Sequence, residues 1–259
     1  MSNIISVVNQ KGGVGKTTTT VSLSSAIAKS GKKTLVIDID AQGNTTSGYG
    51  INKRDLQASS YEVIVGEKTA GEAIIHTQYG KVDLIPATAS LAAADIELAE
   101  LENRAYGLKT AIASVADDYD YIFIDCPPSL GLLTINALTA SDSILIPMQC
   151  EFYSLEGLAQ LMDTVRQVKQ RYNKNLKING ILFTMYDARL KVTVQVVEEV
   201  KKHFGDIVFK TVIPRNVRLS EAPSFGEPIV YYDKSSKGAK AYLSLAKEII
   251  SRDRKGKAK

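Results

Sequence analysis

The sequence predicts an α/β fold in which a mostly parallel, twisted sheet is flanked by helices on both faces. Three observations carry that expectation. Short apolar runs rich in β-branched residues recur along the chain, stretches with apolar residues at three-to-four spacing separate most of them, and the runs end in chemistry-bearing loops. Ligands of such folds bind beyond the carboxyl ends of the strands, so those loops are where function is expected.

The first run, Ile4 to Val8, leads into Asn9-Gln10-Lys11-Gly12-Gly13-Val14-Gly15-Lys16-Thr17-Thr18. Glycines let successive backbone N–H groups turn inward on an anion, and the helix expected over Thr18 to Ala28 starts with its positive dipole end at the same point. Lys16 adds a full charge, and Thr17 adds a hydroxyl suited to Mg²⁺. Gly12, Gly13, Val14, Gly15, Lys16, Thr17 and Thr18 are therefore the expected phosphate contacts, and the fold is expected to be that of a P-loop NTPase. The loop departs from G-x-x-x-x-G-K-[ST] because Gln10 stands at its first glycine, and it carries a second lysine, Lys11.

The second run, Thr34 to Ile37, passes into Asp38-Ile39-Asp40-Ala41-Gln42-Gly43-Asn44. Strand alternation puts Asp38 and Asp40 on one side as the chain leaves the sheet beside the phosphate loop. A carboxylate there can hold an attacking or metal-bound water in line with a terminal phosphate. Asp38 suits a turn cap better. Gly43 to Gly50 and Gln57 to Ser60 read as surface loop. After the run Val82 to Ile85, Tyr121 to Ile124 ends in Asp125-Cys126-Pro127-Pro128, the Walker B position. Asp125 is expected to hold magnesium through its water shell, opposite Thr17.

Further strands are expected at Ser143 to Ile146, Ile178 to Thr184 and Phe209 to Ile213, and helices at Leu155 to Val168, Val192 to Phe204 and Gly238 to Ile250. In the last helix Ala239, Tyr242, Leu243, Ala246, Ile249 and Ile250 fall on one side, and Lys237, Lys240, Lys247 and Arg252 on the other. That pattern describes a docked helix with a basic outer face.

A chain of 259 residues can bury a large core without staples, and it reads as one domain over 1–252 with a basic, disordered tail over 253–259. Net charge is +4, yet residues 234–259 hold nine Lys/Arg against two acids, a basic pole suited to a polyanion. Cys126 and Cys150 have no metal-like or redox spacing, so they read as core residues of a reduced cytoplasmic protein. No charged-then-apolar leader is seen, and no apolar stretch approaches the ~18 residues of a membrane span. His76 and His203 have no catalytic partner at useful spacing.

Lys11 to Thr17 resembles the loop of the deviant Walker A ATPases. The segments Asp38 to Asn44, Pro147 to Glu151, Thr184 to Arg189 and Ile213 to Pro223 look like those of the chromosomal ParA (Soj) partition ATPases, with Ala41 where a proline is common. The resemblance covers nearly the whole chain and implies that Asp40, the second aspartate of its segment, supports hydrolysis. It implies ATP and Mg²⁺ as cofactors, slow partner-stimulated hydrolysis, and an ATP-dependent homodimer in which Lys11 reaches the partner's nucleotide and Glu151 faces the partner. It also implies that Pro214, Arg215 and Asn216 lie near the adenine. Arg189 and Arg218, with the basic face of Lys237 and Lys240, would then meet double-stranded DNA without reading its sequence. The cellular setting implied is nucleoid-associated partitioning of a chromosome or plasmid, with a ParB-type centromere-binding protein.

Read without the family, the arginines can fork onto phosphate oxygens or pair with Asp187 and Glu221. A MinD-like membrane ATPase is the alternative, and it requires a terminal helix whose apolar face is left free for lipid. No membrane partner is expected here. An iron-sulfur reductase needs a cysteine spacing that Cys126 and Cys150 do not reproduce.

Overall fold

The computed structural model describes residues 2–257. Among them, the apolar runs form β1 (Asn3–Val7), β2 (Thr34–Asp38), β3 (Ile75–His76), β4 (Val82–Ile85), β5 (Tyr121–Asp125), β6 (Ser143–Gln149) and β7 (Lys177–Thr184). They make one sheet in the order β3-β4-β2-β5-β1-β6-β7, parallel throughout except for the antiparallel edge pair β3–β4. The helices of the first half are α1 (Lys16–Lys29), α2 (Asn44–Gly48), α3 (Ser60–Val65), α4 (Ala70–Ala73), α5 (Leu91–Glu100) and α6 (Gly107–Ile112). The second half adds α7 (Leu132–Ala140), α8 (Ser154–Arg171), α9 (Lys191–Phe204), α10 (Val217–Glu221), α11 (Ile229–Tyr232) and α12 (Lys237–Lys257).

Alternation along each central strand sends side chains to two separate cores. Ile122 and Ile124 of β5, with Ile144 and Ile146 of β6, join the core beneath α3 and α5–α9. Tyr121 and Phe123, with Leu145, join the opposite core beneath α1, α11 and α12. Both faces of the sheet are thus covered, which is why its strands read as continuous apolar runs. Each fully buried Ile, Leu or Phe contributes about 1.5–3 kcal/mol through removal of apolar surface from water. This is the α/β architecture expected from the sequence.

Several local expectations are corrected. The segment Phe209 to Ile213 is not a strand, although Phe209 N–H donates to the Ile181 carbonyl (2.9 Å) and Ile213 N–H to that of Phe183 (2.8 Å). Between those bonds the N–H groups of Lys210 and Thr211 turn to the Glu248 carboxylate of α12 (2.9 and 3.0 Å), so no continuous ladder forms. Gly43 to Gly50 is not surface loop: it contains α2, and Thr45, Thr46 and Tyr49 are buried. Gln57 to Ser60 is likewise drawn inward, with Ala58, Ser59 and Ser60 buried as Ser59 caps α3 through a capping box with Glu62. The basic tail expected from 253 begins inside α12, which runs to Lys257. Asp253 accepts hydrogen bonds from Asn3 (2.9 Å) and Tyr121 (2.7 Å), tying it to the body, while residues 258 and 259 lie outside the described residues.

Candidate nucleotide site

At the carboxyl end of β1 the chain makes the glycine-rich turn. Gly13 and Gly15 hold left-handed φ values of 73° and 88°, a conformation that costs other residues steric energy and lets the loop fold around an anion. Gly15 is also the N-cap of α1, which has no side-chain cap and no acid in its first turn. The uncapped N–H groups and the positive end of the helix dipole are left to the loop's concavity. The loop is braced from outside, where Thr184 Oγ1 donates to the Val14 carbonyl (2.8 Å) and Gln149 Nε2 to that of Gly13 (2.9 Å).

Lys16 is buried, at 7% exposed, and its Nζ donates to the Lys11 carbonyl (3.2 Å). Burial lowers its ammonium pKa from the ordinary value, against the pull of the nearby Asp125 and Asp40 carboxylates. Lys11 points elsewhere. Its Nζ pairs with Glu151 Oε2 at 2.5 Å, at the start of the segment leading into α8, so the ammonium of the second lysine is directed away from its own loop in the single chain.

Asp125 lies at the end of β5 beside β1 and is 1% exposed. Three hydroxyls converge on it: Thr17 Oγ1 (2.8 Å), Thr45 Oγ1 (2.8 Å) and Thr20 Oγ1 (3.0 Å). Asp38 is its neighbour in register on β2 and is also fully buried. Burial raises the pKa of both acids, and for Asp38 the Asp125 charge raises it further. Asp38 accepts from Thr46 N–H (2.8 Å), Thr46 Oγ1 (2.7 Å) and Asp40 N–H (3.2 Å), so it acts as the turn cap. Asp40 stands one turn further out, half-buried, with Oδ1 accepting from Gln42 N–H (3.0 Å).

The donor set suits a hard divalent cation. A threonine hydroxyl and a carboxylate within 2.8 Å of each other, at the mouth of an anion-binding loop, are the oxygen ligands magnesium takes while keeping several waters. Among the described residues no group of three or more His, Cys, Asp or Glu forms a protein-only cage. Thr20, Thr45 and Thr46, which bond Asp125 and Asp38, were not among the residues expected at the site. Their signal was present as threonines four residues along from Lys16 and directly after the Asp38–Asn44 segment.

A cleft of about 580 Å³ opens beside the loop and is lined by Gly15, Thr18, Pro214, Arg215, Asn216 and Tyr242, among others. It brings Pro214–Asn216 to the loop across the sheet's end. Asn216, which lines this cleft, has its Oδ1 buried without a hydrogen-bond partner, an acceptor that still needs a donor. Met185, on the same cleft, is the non-glycine residue with positive φ among those described, at 49°.

The basic residues lie on loops that adjoin one another. Tyr186 and Pro214 pair as an isolated bridge, which sets the Arg189 loop beside the segment holding Arg215 and Arg218. Arg189 forks onto Asp187 (2.8 and 2.6 Å) with its side chain 88% exposed, and this holds the Asp187 carboxyl down at about 2. Arg218 pairs with Glu221 (2.8 Å) and Asp233 (3.5 Å), and Asp233 leads into α12, whose first turns expose Lys237 and Lys240. These pairs are exposed and screened by solvent, so neither arginine is locked. On α12 the apolar side is buried through Ala239, Tyr242, Leu245, Ala246 and Ile249, with Leu243 and Ile250 partly buried against the same core. Among the described residues no helix is long and apolar enough to cross a membrane.

A family described as an AAA domain matches residues 2–178. The chain is 57% identical to the sporulation initiation inhibitor protein Soj of Bacillus subtilis over 97% of its own length and 99% of that protein's. It is 47% identical to the chromosome partitioning protein ParA of Caulobacter vibrioides, over 99% and 97%. Among solved structures, a cobyrinic acid a,c-diamide synthase from Mycobacterium smegmatis with bound ADP and magnesium superposes with a TM-score of 0.87 at 36% identity, covering 99% of this chain and 97% of that one. The cell division ATPase MinD of Pyrococcus furiosus superposes with a TM-score of 0.80 at 29% identity, over 97% and 99%.

Proposed function

This chain belongs to the ParA/Soj family of P-loop ATPases, and from that premise we propose that it is a magnesium-dependent, ATP-hydrolysing switch that dimerises on ATP, holds double-stranded DNA without sequence preference, and partitions a chromosome or plasmid with a ParB-type partner. The observation that carries the proposal is the convergence of Lys16, Thr17 and Asp125 at the loop, with Lys11 turned out of it. Thr17 and Asp125 would hold Mg²⁺, which supplies charge neutralisation to the phosphates. Lys16 would neutralise the terminal phosphates, Asp40 would orient the attacking water, and Pro214, Arg215 and Asn216 would bound the base. The buried apolar side of α12 favours this reading over a MinD-like membrane ATPase, because no apolar stripe of that helix is left for lipid among its described residues.

Lys11 has its role across subunits in this reading, exchanging the Glu151 contact for the partner's phosphates. Lys11→Ala is therefore expected to bind ATP within about twofold of wild type while losing the ATP-dependent dimer, since uniform binding in the single chain does not use its ammonium. Sizing chromatography with ATP checks this, and a normal dimer would remove Lys11 from the partner's site.

DNA binding rests on the adjoining basic loops and the outer face of α12. DNA should be retained with ATP and released with ADP or no nucleotide. Arg189→Glu and Arg218→Glu should each weaken binding to unrelated duplexes alike and leave ATP-dependent dimerisation intact. Phosphate contacts release counterions, so each corresponding Ala variant should reduce the slope of log affinity against log salt by about one unit. If both Ala variants keep the wild-type affinity and slope in ATP, the arginines are surface ion pairs and the DNA surface lies elsewhere.

A further inference from the structure

The turn that carries Asp40 is held at three points, and the third is a lysine that no motif explains. Upstream, Asp40 N–H is tied to the buried Asp38 carboxylate. Within the turn, Gln42 N–H bonds Asp40 Oδ1 (3.0 Å) and Gly43 N–H bonds the Asp40 carbonyl (2.8 Å). On the outer side, Lys53 Nζ donates to the Gln42 carbonyl at 2.5 Å.

Lys53 is presented by a built support. It opens a short 3₁₀ turn, Lys53–Asp55, in which Asn52 accepts from Arg54 N–H (3.2 Å) and donates to the Asp55 carboxylate (2.7 Å). Ile51 N–H in turn bonds the Thr46 carbonyl (3.2 Å), so the lysine's base is fastened to α2. Its stem lies against Gly43. At φ 58° a Cβ on Gly43 would stand 2.9 Å from Lys53 Nζ and 3.1 Å from the Ala87 carbonyl oxygen, so the glycine makes room for the lysine. Lys53 is half-buried, and among the described residues no carboxylate pairs with its ammonium. Its cation is thus committed to one carbonyl, in a charge-assisted bond about twice as strong as a neutral one.

We propose that Lys53 is a positioning residue for hydrolysis, clamping the Asp40–Gly43 turn so that the Asp40 carboxylate is fixed where the attacking water must be held. The proposal rests on Asp40 having that task. Lys53 makes no hydrogen bond to the loop residues Gly12–Thr17 among the described residues, so it acts on turnover and leaves ATP binding alone. Displacement of an orienting group by an ångström or less can lower a rate severalfold to a hundredfold.

Steady-state hydrolysis and ATP affinity of Lys53→Met, Lys53→Arg, Asp40→Ala and the Lys53→Met/Asp40→Ala double variant test it. Met keeps the stem and removes the donor. Its kcat should fall about tenfold with ATP affinity within about twofold of wild type. Arg should restore most of the loss, and Met should add nothing in the Asp40→Ala background. A wild-type kcat in Lys53→Met, with Asp40→Ala inactive, overturns the clamp and leaves the Asp40 assignment standing. Equal loss of affinity and kcat in Lys53→Met overturns it as well, since that is the mark of general loosening. Normal turnover by Asp40→Ala removes the Asp40 assignment and the clamp together.

Discussion

Replacing Lys16 by alanine is expected to lower ATP affinity at least about 100-fold, from the loss of charge-assisted hydrogen bonds to the terminal phosphates. Lys16 is buried against the loop's own backbone, with Nζ 3.2 Å from the Lys11 carbonyl, so its ammonium is already placed at the helix N-terminus before any nucleotide arrives. Its low exposure also prevents another basic side chain from taking its place without rebuilding the loop. Lys11 is no substitute, because its ammonium is directed to Glu151. Calorimetric titration with ATP and magnesium measures the loss. An unchanged affinity would sink the assignment of residues 12–17 as a phosphate-binding loop.

The second large effect is expected at Asp40, and it separates binding from chemistry. Asp40→Ala should bind ATP and dimerise, yet hydrolyse about 100-fold more slowly, because a water-orienting carboxylate acts in the transition state more than in the ground state. The trapped dimer should then stay on DNA. Asp40 also accepts Gln42 N–H, and loss of one such bond costs about 1 kcal/mol. Asp40→Asn keeps that acceptor and removes the charge. If Asp40→Asn turns over ATP at the wild-type rate in the presence of a ParB-type partner, the residue is a turn cap and the water is oriented by another group.

Much of the site was legible because its parts are local in sequence. Strand, glycines, lysine, threonine and helix follow one another within residues 4–28, and each has a reason that needs no neighbour. The acid at the end of β5 was legible for the same reason: a carboxylate closing an apolar run is costly unless it has work at the strand's end. Long-range polar partners were not legible. The strand expected over Phe209 to Ile213 has the right composition, but two of its N–H groups are claimed by Glu248 from a helix 37 and 38 residues away. The loop expected over Gly43 to Gly50 has turn-like composition, but Thr45 and Thr46 are drawn in by Asp125 and Asp38. Short helices such as α2–α4 offer too few turns for a periodic pattern, so packing and caps determine them.

By itself, then, the sequence determined the α/β class, the glycine-rich turn that follows β1, and the identity of the lysines and aspartates around it. Hydrophobic periodicity and loop stereochemistry act between residues close in the chain, and that is why those features could be read directly. Only the tertiary structure decided that Asp125 gathers three threonine hydroxyls, that Lys11 is turned to Glu151, that the Arg189 and Arg218 loops adjoin, and that Lys53 closes on the Asp40 turn. Each of those depends on which distant polar group is nearest once the sheet is assembled. A buried donor or acceptor must find a partner, and the partner is chosen by the fold because chain order carries no record of distances across it.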